Sequence, residues 1–168
     1  MSKKFLVFLF AAVSISLAAQ DGAAYVKELL ESNSVLFDYS ISPKGQSKIK
    51  MEGYAIIDGD CYRLVGNELE IICDGTTKWT LDKAAKEAYI EPSEGTRDFL
   101  VNPSEWIDKV NDLKIADKTV SGTYEADGNA MIFKFTNITS VPKSGSTDGF
   151  VFDVSGLKDK GWVITDLR

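Results

Sequence analysis

The chain has 168 residues, 44% hydrophobic and 26% charged, which suits one globular domain and is too short for two of ordinary size. Its 19 Lys and Arg against 25 Asp and Glu give a net charge of -6, so no surplus of cations exists to neutralise phosphates and nucleic acid is not an expected partner. The absence of histidine excludes Ser-His and Cys-His nucleophilic catalysis, the His-Glu-x-x-His zinc helix and an imidazole proton shuttle.

Lys3 and Lys4 precede an apolar run of thirteen residues, Phe5 to Leu17, with small residues around a cut near Ala18. This is the pattern of a secretory signal peptide over residues 1–18. The run falls short of the roughly 20 apolar residues of a membrane helix, and no later stretch approaches that length. Residues 19–168 are therefore expected to form a single soluble domain in a periplasm-like space. The first cysteine is Cys61, so no residue near the cut can take an amino-terminal lipid anchor. Without Lys3 and Lys4, 17 of the 19 cations remain against 25 anions, a mature charge of about -8 that anionic membrane surfaces repel.

Ala23 to Asn33 places Ala23, Val26, Leu29 and Leu30 on one face and Lys27, Glu28 and Glu31 opposite, which predicts an amphipathic helix. From Val35 the period becomes two. Val35, Phe37, Tyr39 and Ile41 alternate with polar or outward positions, a turn follows at Ser42-Pro43-Lys44-Gly45, and a second strand runs from Lys48 to Ile57. Asp58-Gly59 ends that strand, Gly66-Asn67 joins Cys61–Val65 to Glu68–Cys73, and Asp74-Gly75 precedes Lys78–Leu81, the pattern of an antiparallel meander.

Asn102-Pro103-Ser104-Glu105 predicts a helix start, with Trp106, Ile107, Val110 and Leu113 sharing a face. Val120 to Ala126 and Ala130 to Ile138 flank Asp127-Gly128 as a hairpin, and Phe150–Phe152 and Trp162–Ile164 read as two more strands. Val141 to Gly149, rich in Ser, Gly, Lys and Asp, reads as a surface loop. The expected sum is about ten strands and two main helices.

Chemical motifs are sparse. Asp58-Gly59-Asp60 lacks the spaced oxygen ligands and terminal Glu of a calcium loop and reads as a turn. Neither a Gly-x-Gly-x-x-Gly stretch nor a phosphate loop is present, so no cofactor and no metal is expected. With a two-residue turn at Gly66-Asn67, Arg63 faces Glu70, Tyr62 faces Ile71 and Leu64 faces Leu69. Cys61 then faces Ile72 while Cys73 points to the other side, so free thiols are favoured over a disulfide.

By alternation Phe37, Tyr39, Met51, Tyr62, Leu64, Leu69, Ile71, Trp79, Leu81, Phe133, Phe135, Phe150 and Phe152 take the apolar face of their strands, and Trp106 and Ile107 are placed to face them from a helix. On the residues alone this set suits either a packed core or the wall of an apolar ligand cavity.

Gly53-Tyr54-Ala55-Ile56-Ile57, Gly59-Asp60-Cys61-Tyr62-Arg63-Leu64, Asp74-Gly75-Thr76-Thr77-Lys78-Trp79 and the closing Val163-Ile164-Thr165-Asp166-Leu167-Arg168 resemble the periplasmic outer-membrane lipoprotein carriers, the LolA-like family. Glu94 to Trp106 and Phe150-Val151-Phe152 are similar to that family's middle and last strands, so the resemblance covers most of residues 34–168. It implies a mainly β fold with helices (α+β), a curved antiparallel sheet forming an incomplete β-barrel covered by helices. Its hollow would take the acyl chains of a lipoprotein, with the fifteen apolar residues above as lining.

The resemblance further implies a monomer without catalytic residues that receives cargo from an energy-driven inner-membrane donor complex and yields it to a tighter-binding outer-membrane acceptor. Two departures are visible. The family's basic residue and proline, which help latch a helical lid, are replaced by Asp58-Gly59-Asp60, and the stretch from Leu113 to Val120 is short, which implies a smaller hollow. Two other readings stay open: a periplasmic lipid-sensing or scaffold protein of the same fold, and a secreted hydrolase working with paired carboxylates in a polar cleft.

Overall fold

The computed structural model describes residues 22–46, 50–93, 102–126 and 128–168. The expected signal peptide, Lys48 and Ile49 of the second strand, residues 94–101 of the family-like middle and Asp127 of the hairpin turn lie outside the described residues.

Helix α1 spans Gly22–Ser32 and buries Val26 and Leu30, one turn apart on a single face. The side-chain amide of Asn33 donates to the Leu29 carbonyl at 3.3 Å, satisfying one of the carbonyls a helix end leaves open. Six strands follow: β1 Asn33–Pro43, β2 Met51–Asp58, β3 Cys61–Gly66, β4 Leu69–Asp74, β5 Thr77–Asp82 and β6 Glu87–Pro92. After the short helix α2 (Pro103–Trp106) and a 3-10 turn at Ile107–Lys109 come β7 Val110–Ala116, β8 Thr119–Ala126 and β9 Asn129–Pro142. A second 3-10 turn at Lys158–Lys160 precedes β10 Val163–Asp166. All ten strands join one sheet in the order β10-β6-β5-β4-β3-β2-β1-β9-β8-β7, antiparallel except where β10 runs parallel to β6. The sheet is open, with β10 and β7 as its edges.

Three expectations require correction. The helix expected through Leu113 stops at Trp106, and Val110–Ala116 is a strand. Its pairing with β8 shifts between Asn111 and Lys114, where Asp112 adopts φ 54°. The extra residue of this bulge spaces Val110 and Leu113 three apart, and so imitates helical periodicity inside a strand. Strand β6, absent from the sequence reading, pairs with β5 from Asp82↔Glu87 to Thr77↔Pro92. Phe150–Phe152 is not a strand.

The sheet changes its apolar face at β4. Val35, Phe37, Ala55, Ile57, Tyr62, Leu64 and Cys73 belong to a large cluster with α1, Trp106 and Ile107. Ile72, between the cluster-facing Ile71 and Cys73, points the opposite way and forms a second cluster with Trp79, Leu81, Ala88 and Ile90. The β4–β5 turn produces the change. Asp74 Oδ1 accepts from the backbone N–H groups of Thr76 (2.9 Å) and Thr77 (2.7 Å) around Gly75, whose φ of 91° suits glycine. Pairing then resumes with Cys73↔Lys78 and Ile72↔Trp79, which sends Trp79 and Leu81 to the face away from α1. Phe152, Val154, Leu157, Trp162 and Ile164 of the carboxy-terminal segment cover them there.

Candidate ligand site under the amino-terminal helix

On the α1 side, β1, β2, β3, β8 and β9 present the richest apolar surface of the described residues. Phe37 lies against Phe135 (ring centroids 4.7 Å apart), Phe135 against Phe133 (5.0 Å), and Trp106 meets Phe133 edge-on at 5.3 Å. Such edge contacts align the positive ring edge with a negative ring face and add about 0.5–1.5 kcal/mol beyond burial. The backbone allows this density because a β-carbon on Gly122 would stand 2.5 Å from Val110 Cγ1 and 3.2 Å from Phe133 Cε1.

The cover over this surface is light. Helix α1 contributes two buried side chains, Val26 and Leu30, with Ala23, Tyr25 and Leu29 packed beside them, and Lys27 Nζ reaches Asp108 Oδ2 of the 3-10 turn that follows α2 at 2.9 Å. That pair is exposed, Asp108 by 66% of its side chain, and exposed pairs contribute about 0–1 kcal/mol. A cleft of about 360 Å³ opens where the carboxy-terminal end of α1 meets the sheet. Leu30, Tyr62, Cys73 and Pro103 supply its apolar side, and Glu31, Asp60, Ser93, Asn102 and Lys143 its polar rim. Its volume falls at the lower end of the roughly 300–1,000 Å³ usual for ligand pockets. Leu30, Tyr62 and Cys73 also belong to the large cluster, so the cleft is continuous with the apolar surface beneath α1.

The fifteen residues expected to border one hollow are not brought to one place. Phe37, Tyr62, Leu64, Trp106, Ile107, Phe133 and Phe135 are buried in the large cluster, with Tyr39 and Ile71 packed against it. Burial pushes the Tyr39 phenol above its ordinary pKa. Trp79 and Leu81 are buried on the reverse face, where Phe152 packs on them. Phe150 is buried outside both clusters, while Leu69 and Met51 are 43% and 54% exposed. Beyond β4 the α1 side of the sheet becomes polar: Lys78, across from Cys73, pairs with Glu91 at 3.1 Å, and Thr80 stands across from Tyr89. The apolar surface therefore ends at β4.

Cys61 and Cys73 are free thiols. The hairpin register is offset by one residue in each strand from the expected one, with Tyr62↔Cys73 and Cys61↔Asp74. An offset of that kind preserves which side each residue faces, so the two sulfurs stay on opposite faces. Burial first, then the nearby Cys73, Asp74, Asp58 and Asp60, raises the pKa of the Cys61 thiol. The Asp58-Gly59-Asp60 turn is tied to the segment after β9: buried Asp58 accepts from the Ser144 hydroxyl (2.7 Å) and backbone N–H (3.2 Å).

Sequence reasoning did not find the cleft. Its wall is assembled from α1, two strand turns and the segments at Ser93, Asn102 and Lys143, and no periodicity links those positions. Neither a family model nor a curated protein matches the chain. Among the described residues no helix is long and apolar enough to cross a membrane, and no group of three or more Cys, Asp or Glu is placed to hold a metal ion.

Proposed function

We propose that the protein is a periplasmic carrier that shields an acyl chain, of a lipoprotein or another lipophile, between α1 and the aromatic face of the sheet. The supporting observation is a large aromatic surface covered by α1, whose Val26 and Leu30 are buried with Ala23, Tyr25 and Leu29 packed beside them, and by Trp106 and Ile107. In this reading the sheet acts as an incomplete barrel, the cleft at Leu30 and Tyr62 is the mouth, and α1 is the element that yields.

Magnitudes favour such an exchange. Releasing Val26 and Leu30 costs about 3–6 kcal/mol at about 1.5–3 kcal/mol each, to which the partly buried Ala23, Tyr25 and Leu29 add, whereas a 16-carbon chain gains on the order of 12 kcal/mol when shielded from water. Transfer from a membrane into an equally apolar site is close to neutral, so direction has to come from membrane partners, and the carrier needs no catalytic residue.

The test is displacement of a fluorescent fatty-acid analogue from purified protein, paired with mass spectrometry of lipid extracted from protein isolated from its own periplasm. Saturable binding and a co-purifying acyl lipid are expected. A protein that binds no apolar probe at any concentration below probe aggregation is not a carrier.

A further inference from the structure

Helix α1 is built into the sheet at one end and only rests on it at the other. Ser32 is its last residue and Asn33 the first of β1, with no linker between them. Asn33 pairs with Pro142 of β9, Ser34 pairs with Asp58 of β2, and the Asn33 side chain holds the Leu29 carbonyl at 3.3 Å. The carboxy-terminal turn is thereby fixed. The opposite end consists of Gly22, Ala23 and Ala24, of which Ala23 packs partly against the large cluster and Ala24 is exposed. Side chains this short bury little apolar area. Gly22 rests on the edge strand β7, where a β-carbon on it would lie 3.1 Å from Leu113 Cδ2 and 3.2 Å from Ile115 Cδ1.

We infer that α1 yields by pivoting at the Ser32–Asn33 junction, its amino-terminal end lifting from β7, and that the tail of the acyl chain comes to rest against Leu113 and Ile115. This rests on the carrier reading, in which α1 makes way for the chain. Hinges lie at element-terminal residues that absorb a change of backbone angle, and a rigid helix that runs straight into a paired strand has that junction as its pivot. The eleven residues of α1 place Gly22 about 15 Å from Ser32. A rotation of about 15° therefore raises Gly22 by about 4 Å, one carbon–carbon contact layer, and shifts the backbone at Leu30 by less than about 1 Å. The cleft at Leu30 keeps its shape as the mouth, and the space opens behind it. Tyr25 and Val26 move with the helix, and the exposed Lys27–Asp108 pair parts in the same motion. A chain entering at the mouth then runs beneath α1 and across the strands to the two side chains that Gly22 has left.

A reversible lock tests the pivot. In a Cys61→Ser background, Gly22→Cys with Leu113→Cys puts a sulfur near the present Leu113 Cγ position, 3.8 Å from the new β-carbon, which a small adjustment brings to disulfide geometry. Once thiol titration shows the bridge, uptake of a fluorescent acyl probe should be at least about tenfold slower than after reduction with dithiothreitol, because the amino-terminal end can no longer lift. Ala24→Gly is a second arm that needs no bridge: loosening the first turn at an exposed position should raise the association rate about two- to fivefold. The seat of the tail is read by competition of hexadecanoate and decanoate, below their aggregation concentrations, against the same probe. Ile115→Ala should weaken hexadecanoate about threefold or more and leave decanoate, too short to reach β7, unchanged. Equal uptake by oxidised and reduced protein, an Ala24→Gly rate no faster than that of the unmodified protein, or equal effects of Ile115→Ala on the two acids overturn the inference and leave the carrier reading standing. An unmodified protein that takes up no probe overturns both.

Discussion

Arg63 Nε on β3 donates to Glu70 Oε1 on β4 at 2.9 Å, while Lys83 Nζ meets the other carboxylate oxygen at 3.0 Å. Burial by itself would raise the Glu70 pKa, but the hydrogen bonds from Lys83 and Arg63 outweigh it and hold the carboxyl below the ordinary glutamate value. A carboxyl whose folded pKa is depressed stabilises the fold fully above its unfolded pKa of about 4.3, and this contribution is lost as pH falls through the folded value. Glu70→Gln should lower stability by about 1–3 kcal/mol at pH 7. Its melting temperature should also fall less than that of the unmodified protein between about pH 5 and pH 3. Parallel pH profiles for the two proteins would show that Glu70 is not linked to folding.

The cysteines should report their two environments. Cys61 is partly exposed and Cys73 is buried, so a thiol reagent should modify both in denaturant without prior reduction and only Cys61 in the native state. Native modification of Cys61 should be slow at pH 7 and accelerate as pH rises, because its thiolate is disfavoured by burial and by the carboxylates nearby. Detection of no thiol in unfolded, unreduced protein would contradict the register.

Gly53 tests the close approach of β2 and β3. It pairs with Gly66 across the sheet, and a β-carbon on Gly53 would lie 1.7 Å from the Val65 carbonyl oxygen. A backbone atom cannot swing aside as a side-chain terminus does. Gly53→Ala should cost more than about 3 kcal/mol or abolish folding, whereas Gly128→Ala, with nothing within 4 Å, should incur only the penalty of its left-handed backbone, about 1 kcal/mol. Urea melts of the two variants make the comparison.

Side chains on the two faces of the sheet should separate binding from stability. Phe133→Ala and Trp79→Ala both empty buried sites and should each cost about 3–5 kcal/mol. Phe133 borders the apolar surface under α1 and Trp79 does not, so acyl-probe affinity, measured where both variants are folded, should change for Phe133→Ala alone. Leu69→Glu, at a half-exposed position, should move stability by no more than about 0.5 kcal/mol. A large loss there would place Leu69 inside a closed core.

Much of the strand pattern was legible because alternation is local. The sequence alone predicted α1 from the spacing of Val26 and Leu30, the β3–β4 hairpin, and the opposed faces of Cys61 and Cys73, and each of these is found. What failed was non-local. Which face of β5 turns toward α1 is decided by how Asp74 wraps Thr76 and Thr77, a hydrogen-bonding detail invisible to periodicity. That detail moved Trp79 and Leu81 out of the expected set. The bulge at Asp112 hid β7 behind a helical spacing, and the cleft depends on segments that meet only once the chain has folded. Apolar residues at 2-residue spacing identify two sides of a strand without stating which side its neighbours share.

The reversal of apolar faces at β4 also bears on how the molecule comes apart. The two clusters meet through that single strand, so the carboxy-terminal segment and β10 are released by breaking contacts to β5 and β6 without disturbing Phe37, Phe133 or Trp106. Opening of this kind is sub-global, with a free energy below that of complete unfolding. Amide exchange should resolve two cooperative units. One, containing β6 and β10, should exchange early, and one built on β1, β2 and β9 should exchange late, with β4 as the hinge whose protection sets the boundary between them.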